Sequence, residues 1–330
     1  MRSAVDGTEE SVMGHEATLL TRGFEGDMRL VRLSQGALSG LLLDTTQINW
    51  HEQEHQFYLA LPDAARTLQG MAQPDYAAQR VAAEKQARAI LGKAAVLARW
   101  PVEPTFRFLS TNGHAAGLDA VRAASLDLAA GVIEVAVVLA VDSLLNQDTL
   151  NWLHQNNRLK CDGMPVGLQP GEAGVAAALT MRPHLVHAST QGVTLGEVHL
   201  EAEPLSLLSG AATRGEILAR VIERAWRSST IEPPWILSDQ NGEEFRAMEW
   251  GHALVRLRGK NAAFSAPELW YAATSFGDTG ASSSLVNLCM AVRSWERRYA
   301  AGAAALITAV SDGIQRSALL VSGRTSPRRA

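Results

Sequence analysis

The sequence has little cysteine and little charge. Its 330 residues include two cysteines, Cys161 and Cys289, which are too few for a disulfide framework and predict a reducing, cytoplasmic compartment. Charged residues make up 19% of the chain and the net charge is −4, with no basic stripe that would predict a nucleic-acid partner. No apolar run of about 18 residues predicts a membrane span, and the first 14 residues lack the pattern of a secretory signal.

Apolar residues are abundant instead. They make up 47% of the chain, which is enough for a large core in one domain or in two fused halves. Low charge with many small residues predicts tightly layered helices and sheets, and broad surfaces that are buried in a dimer. Residues 1–25 are acidic and polar, and we expect them to be a flexible N-terminal segment.

Predicted strands and helices alternate along the chain. Residues 132–141 are nearly all apolar and many are β-branched, as in a strand buried on both faces. This order predicts an α/β architecture with central sheets covered on both sides. The predicted helices are 29–43, 76–100, the stretch from just after residue 113 to 130, 215–226, 243–257 and 281–300. The predicted strands are 57–61, 105–109, 132–141, 235–237, 269–274, 303–310 and 315–321.

An internal repeat indicates a duplication. One half contains FLSTNGHAAG, a helix and AAGVIEVAVVLAVDS, and the other contains YAATSFGDTGAS, a helix and AAGAAALITAVSDG. Similarity at half the chain length is the mark of two related units. The repeat places His114 and Asp278 at equivalent positions, each at a helix N-terminus that follows a strand.

Four segments between Phe106 and Ser322 resemble the β-ketoacyl synthases of the thiolase-like superfamily. They are GVIEVAVVLAVDSL, RLKCDGMPVGLQPGEAGVAAAL, SFGDTGASSSL and AAALITAVSDGIQRSALLV. The resemblance implies an α/β thiolase-like fold of two duplicated βαβαβαββ halves in five αβαβα layers. We place the N-terminal half at residues 26–183 and the C-terminal half at residues 184–330. The resemblance also implies a homodimer or a heterodimer of related chains. The two chains would pair through the strand that follows the helix after the nucleophile.

The resemblance further implies a catalytic set that this chain lacks. In such enzymes a cysteine at a strand-to-helix elbow attacks an acyl thioester, and two histidines, or a histidine and an asparagine, assist decarboxylation. The nucleophile position falls on His114, and the two histidine positions fall on Asp239 and Asp278. No cysteine lies between Met1 and Lys160, so a slip of the alignment does not restore a nucleophile. We expect these three residues to lie together in an empty polar remnant pocket, with no metal and no cofactor.

Other interpretations of the polar residues stay open. His114 could be a structural imidazole bonded to backbone, and the two aspartates could cap helices. Arg246 and Glu249 resemble a structural ion pair or an interface contact.

A metal-binding pattern also occurs in the sequence. Residues 51–55 match the zinc-protease pattern H-E-x-x-H, with His51 and His55 as the two histidines. The strand predicted directly afterwards leaves no room for the helix that this motif needs.

The predicted function is therefore non-catalytic binding, as a scaffold, an adaptor or the inactive partner of a related chain. Relatives that lack the nucleophile occur in synthase pairs and in bacterial gene clusters for type VI secretion effectors, and this sequence resembles the secretion-cluster group better than it resembles a fatty-acid synthase. The expected partners are a related thiolase-like chain or a secretion effector or adaptor. One alternative is a 3-oxoacyl-ACP synthase-type acyltransferase of fatty-acid or polyketide synthesis. Another is decarboxylation or hydrolysis by His114, Asp239 and Asp278 without a covalent intermediate.

Overall fold

The computed structural model describes residues 2–5, 8–63, 76–190, 192–227 and 235–323. The strands are β1 (Arg2–Val5), β2 (Thr8–Ser11), β3 (His55–Ala60), β4 (Phe106–Ser110), β5 (Val135–Ser143), β6 (Glu172–Thr180), β7 (Thr194–Ala202), β8 (Trp235–Ser238), β9 (Glu268–Tyr271), β10 (Ala304–Val310) and β11 (Gln315–Ser322). The helices are α1 (Thr18–Thr21), α2 (Gly26–Asp44), α3 (Tyr76–Ala98), α4 (Ala116–Ala129), α5 (Gln147–Gln155), α6 (Glu216–Trp226), α7 (Glu244–Lys260), α8 (Ala273–Phe276) and α9 (Ser283–Glu296).

Two mixed sheets form the centre of the molecule. The first has the order β4-β3-β5-β6, and the second has the order β9-β8-β10-β11-β7. In each sheet the strands are parallel except for one antiparallel hairpin partner, β6 beside β5 and β11 beside β10. All strands before Thr194 that join these sheets lie in the first sheet, and all later ones lie in the second.

Helices cover both sheets and separate them. α2 and α3 pack on the outer face of the first sheet, and α6 and α7 lie outside the second. α4 and α9 lie between the sheets, in contact with each other and with strands of both. Burying both faces of each sheet explains the uninterrupted apolar strands β5 and β10, whose residues are all buried. The predicted five-layer αβαβα fold is confirmed.

The described parts of the two halves differ by one strand. The second half runs βαβαβαββ from β7 to β11, and the described part of the first half runs αβαβαββ, apart from the inserted α5. The described chain before α2 pairs with itself, as the two-stranded sheet of β1 and β2.

The strand predicted to pair two chains is not at a sheet edge. β5, which follows the helix after the elbow, is bonded to β3 on one side and to β6 on the other. Its backbone groups are therefore already used, and it cannot extend the sheet into a second chain. The strand at the β3 side of this sheet's edge is β4, which precedes the elbow.

Part of the segment expected to be flexible is held to the body of the protein. The backbone amide of His15 donates to the carbonyl of Pro170 over 2.9 Å, and that of Ala17 donates to Glu172 Oε1 over 2.9 Å. Arg29 completes the contact through a 2.5 Å ion pair with the buried Glu172. The local sequence gives no sign of this because the partners lie about 150 residues away along the chain.

Smaller differences concern element ends. The strand expected at residues 269–274 ends at Tyr271, and α8 follows it directly. The short helix α5 was not expected; Asn146 caps it by accepting a 2.8 Å hydrogen bond from the Thr149 amide. Within the described ranges, no helix is both long enough and apolar enough to cross a membrane.

Candidate buried polar site

The elbow that carries His114 is a tight turn between β4 and α4. Gly113 has φ of +56°, a left-handed conformation that glycine adopts without a steric cost. A short 3₁₀ turn over Gly113–Ala115 then leads into α4. This turn directs the imidazole of His114 into the centre of the molecule, where it is only 3% exposed.

Both ring nitrogens of His114 have partners. Nε2 lies 2.7 Å from Asp278 Oδ1, and Arg246 Nη2 lies 2.9 Å from Nδ1. A guanidinium group can only donate hydrogen bonds, so Nδ1 accepts and carries no proton. Nε2 therefore carries the hydrogen and donates a hydrogen bond to Asp278. The arrangement is that of a neutral imidazole whose tautomer is fixed by its two neighbours.

The charges around His114 act in opposite directions. Burial is the largest influence and lowers the pKa of His114, and Arg246 lowers it further. Asp278 and Asp312 raise it, and together they prevail, so the pKa of His114 lies above its ordinary value of 6.5. Burial also raises the pKa of Asp278, but His114 and Arg246 outweigh burial and hold that pKa well below its usual range. Protonation of Nδ1 would remove the hydrogen bond from Arg246, so it requires a rearrangement of this contact.

Asp239 joins the same group through Arg246. It follows β8, and its Oδ2 accepts 2.7 Å from the amide of Val310 and 3.2 Å from Arg246 Nη1. Burial raises the pKa of Asp239, against the attraction of Arg246. The structure thus brings His114, Asp239 and Asp278 together, with Arg246 between the imidazole and Asp239.

The expected empty pocket is wrong, because the Arg246 side chain fills the space. Its guanidinium also donates to the carbonyl of Val310, to Asp312 Oδ1 over 2.7 Å and to Glu243 Oε2 over 3.3 Å. The sequence suggested a pair with Glu249 one helical turn along. Glu249 pairs instead with the fully buried Arg316, over 2.6 Å.

A second guanidinium that the sequence analysis missed lies next to Arg246. Arg158 donates to both carboxylate oxygens of Glu243, over 2.6 and 3.0 Å, and to Asp312 Oδ2 over 2.8 Å. It also lies 5.0 Å from the ring of Trp152, within the range of a cation–π contact.

The side-chain amide of Asn241 connects the carboxylate bound by Arg158 with the carboxylate bound by His114. Asn241 donates from Nδ2 to Glu243 over 2.8 Å and to Asp278 over 2.5 Å. We refer to the whole set as the His114 cluster. Its members are His114, Arg158, Asp239, Asn241, Glu243, Arg246, Asp278 and Asp312.

The chemistry of the His114 cluster is that of a satisfied ion network. Two guanidinium groups and several hydrogen-bond donors engage its carboxylates, so these have few free lone pairs for a ligand. Within the described residues, no group of three or more His, Cys, Asp or Glu side chains is placed to hold a metal ion. His51 and Glu52 of the zinc-protease pattern lie in a turn and His55 lies on β3, so the helix that this motif requires is not formed.

The repeat aligned by sequence is shifted by three residues. Gly280, with φ of +54°, matches Gly113, and α9 begins three residues after Gly280 as α4 does after Gly113. The structural counterpart of His114 is therefore Ala281, not Asp278. Asp278 lies earlier in the turn, where its Oδ1 accepts a 2.8 Å hydrogen bond from the amide of Gly280.

Neither thiol lies at the elbow. Cys289 is in the second turn of α9, where burial raises the pKa of its thiol to about 11. Cys161 lies in a loop, with its backbone paired to Met164. A thiol with a raised pKa is a poor nucleophile at neutral pH, because the thiolate is the reactive form.

Comparison with known proteins shows similarity at the level of fold. No protein-family model matches the chain, and no curated protein matches its sequence. The oxazolomycin ketosynthase domain of Streptomyces albus JA3453 superposes with a TM-score of 0.66 at 12% identity, over 92% of this chain and 61% of that chain. A type II polyketide ketosynthase, solved with its acyl-carrier protein, gives 0.67 at 13%, over 94% and 88%. The ishigamide ketosynthase/chain length factor gives 0.66 at 13%, over 93% and 85%.

These structures share with this chain the arrangement of layers that the sequence motifs suggested. The identities of 12 to 13% carry the fold and not the activity. The chain has the thiolase-like fold of the ketosynthases.

Proposed function

We propose that this protein is a non-catalytic ketosynthase-like chain that acts through binding, as a scaffold, an adaptor or the inactive partner of a related chain. The observation that supports this is the state of the elbow. The sequence resemblance puts His114 at the position of the nucleophile, and its Nε2 lies 2.7 Å from Asp278 and its Nδ1 2.9 Å from Arg246. Acyl transfer through a covalent intermediate needs a free nucleophile there, and a histidine with both nitrogens engaged does not provide one.

Incubation with acyl- and malonyl-thioesters, followed by intact-protein mass spectrometry, tests this proposal. We expect no acyl-protein adduct and no condensation product. The matched control replaces both cysteines, Cys161→Ser and Cys289→Ser, and should behave as the unmodified chain does. An acyl group on either cysteine together with turnover would instead support the alternative, a 3-oxoacyl-ACP synthase-type acyltransferase.

A related thiolase-like chain is the partner we favour, as a homodimer or a heterodimer. The ishigamide structure pairs a ketosynthase with a chain length factor, which makes a similar pairing reasonable here. In this chain the free edge beside the elbow is β4, so we place the shared interface there. Obligate interfaces of this kind bury more than about 2,000 Å². Light scattering at micromolar concentration should give a dimer mass for a homodimer; a monomer that dimerises only with a related chain would indicate a heterodimer.

The sequence also resembles nucleophile-lacking relatives from bacterial type VI secretion clusters. We therefore propose an adaptor role in such a cluster as the biological setting of the binding function. Deletion of the gene should reduce secretion of the effector encoded beside it, and a His114→Gln chain should restore secretion, because the role does not depend on catalysis. Unchanged secretion after deletion would contradict the proposed adaptor role in a type VI secretion cluster.

A further inference from the structure

The two sheets differ at one edge. In the second sheet β11 lies between β10 and β7, and its six central residues are all buried. In the first sheet the equivalent strand β6 is bonded to β5, and no described strand pairs with its other side. Residues 173–180 of β6 are accordingly only half-buried. An edge of this kind presents unpaired N–H and C=O groups to any extended chain that reaches it.

The second half shows what fits such an edge. β7 is nine residues long and runs antiparallel to β11, with Thr194 opposite Ser322 and Ala202 opposite Gln315. Val198 is part of the core between the layers, and Leu195 and Leu200 pack against that core. A strand beside β6 would by analogy be antiparallel, about nine residues long and apolar at several inward positions.

α2 and α9 cover the two faces of β6, so among the described residues it is the outer edge of β6 that stays unpaired. A methyl group added at Gly174 would lie 2.4 Å from the carbonyl oxygen of Leu33, which shows how closely α2 covers this strand. Four of the other eight residues of β6 are alanine. A ligand would therefore bind through backbone hydrogen bonds, with its own side chains providing the apolar contact.

The chain's own N-terminal segment is a poor occupant. β7 ends at residue 202, which is 14 residues before α6 begins at residue 216. A strand of the same length at the same distance before α2, which begins at residue 26, would cover residues 4–12. That stretch, AVDGTEESV, contains three acidic residues and few apolar ones. In the structure Val5 pairs with Thr8, and the dipeptide between them, Asp6-Gly7, is strongly favoured in tight hairpins.

We propose that the outer edge of β6 receives an extended strand from a partner polypeptide, antiparallel to β6, in the place that β7 occupies in the second half. The partner contributes about nine residues with apolar side chains at the inward positions, as β7 does with Leu195, Val198 and Leu200. This surface is separate from the His114 cluster and from β4. It deepens the proposed binding function and rests on it for its biological meaning, while the strand addition itself can be tested alone.

The test uses a synthetic peptide with the sequence of Thr194–Ala202, TLGEVHLEA, added to the full chain. Hydrogen exchange of the amides of β6 is measured with and without the peptide. We expect peptide binding by fluorescence polarisation, and outward-facing amides of β6 that exchange at least about tenfold more slowly in its presence. A peptide of the same sequence with N-methyl groups on alternate residues should not bind, because it cannot form the ladder.

Two neighbouring variants, Ala176→Pro and Ala177→Pro, serve as a matched pair. Adjacent amides of an antiparallel strand point to opposite sides, so one variant removes a bond to β5 and the other removes an outward amide. The variant that loses the outward amide should have the thermal stability of the unmodified chain and should not bind the peptide.

Three results would overturn the proposal. They are absence of peptide binding, peptide binding that the outward-facing proline leaves intact, and full protection of β6 in the free chain that deletion of residues 1–12 abolishes. The last result would show that the chain's own segment fills the edge. None of them bears on acyl transfer, so this proposal and the proposed non-catalytic role fail separately.

Discussion

The two halves of the molecule contribute unequally to the buried polar site. The first half provides the elbow, with His114, and a single guanidinium, Arg158. The second half provides every carboxylate of the His114 cluster as well as Arg246. A duplicated fold can therefore keep its symmetry of layers while one half supplies the groups that occupy the other half's elbow.

The second elbow shows the contrast directly. Its counterpart of His114 is Ala281, whose amide donates 2.8 Å to Asp142 Oδ2 at the end of β5. Here the first half supplies the acceptor, and the same carboxylate also accepts a 2.7 Å hydrogen bond from the Ser143 amide. The His114 cluster with its two guanidinium groups, in contrast, is built around the first elbow.

The largest expected effect comes from removing the guanidinium at the first elbow. Arg246→Ala leaves Asp239, Glu243 and Asp312 without one of their donors in a buried site. Breaking a buried ion pair from one side costs about 3–5 kcal/mol, so we expect the free energy of unfolding in urea to fall by that amount. The matched control is Arg256→Ala on the same helix, whose exposed pair with Glu216 should contribute less than about 1 kcal/mol. Equal losses in the two variants would show that the buried network at the first elbow contributes no more to stability than an exposed ion pair.

A smaller loss is expected at the ion pair that holds the N-terminal segment to the first half. Arg29→Ala removes the partner of the buried Glu172, while the second carboxylate, Glu16, is about a third exposed. We expect a loss near the lower end of the range for buried pairs, about 3 kcal/mol. Hydrogen exchange at residues 15–21 should also rise in this variant, since Ala17 and Thr21 bond to the same carboxylate. Unchanged exchange there would show that the segment is held by other contacts.

The smallest effect is a pH dependence of stability at the first elbow. Because the folded pKa of His114 lies above 6.5, its protonation stabilises the fold fully below the unfolded pKa, and this stabilisation is lost as pH rises through the folded pKa. Each unit of difference contributes about 1.4 kcal/mol. His114→Gln, which can accept from Arg246 and donate to Asp278, should remove this dependence, which lies above the ordinary histidine pKa of about 6.5. If the free energy of unfolding still depends on pH in this range in the variant, a titratable group other than His114 causes the dependence.

The sequence predicts the sheets and the layers better than it predicts the polar site. The strands β5 and β10 follow from uninterrupted apolar runs, and motif order suggests the five layers. The register of the repeat was shifted because Gly113 and Gly280, which mark the same backbone turn, are less conspicuous than the residues around them.

The filling of the site could not be predicted for a different reason. Arg158 lies 85 residues from Glu243 and 154 from Asp312, and such pairs leave no local pattern. Two features of the sequence pointed to further members of the His114 cluster. They are the VSDG segment of the repeat, which contains Asp312, and Arg246, which we expected in an ion pair or an interface contact.

Turnover of malonyl-thioester is the most direct test of the central claim that the first elbow is inactive. Release of carbon dioxide and hydrolysis of the thioester report activity even without a covalent intermediate, so they also test the alternative in which His114, Asp239 and Asp278 act alone. The account predicts rates no higher than those of a protein-free blank, for the unmodified chain and for His114→Gln alike. Turnover by the unmodified chain that disappears in His114→Gln would contradict it.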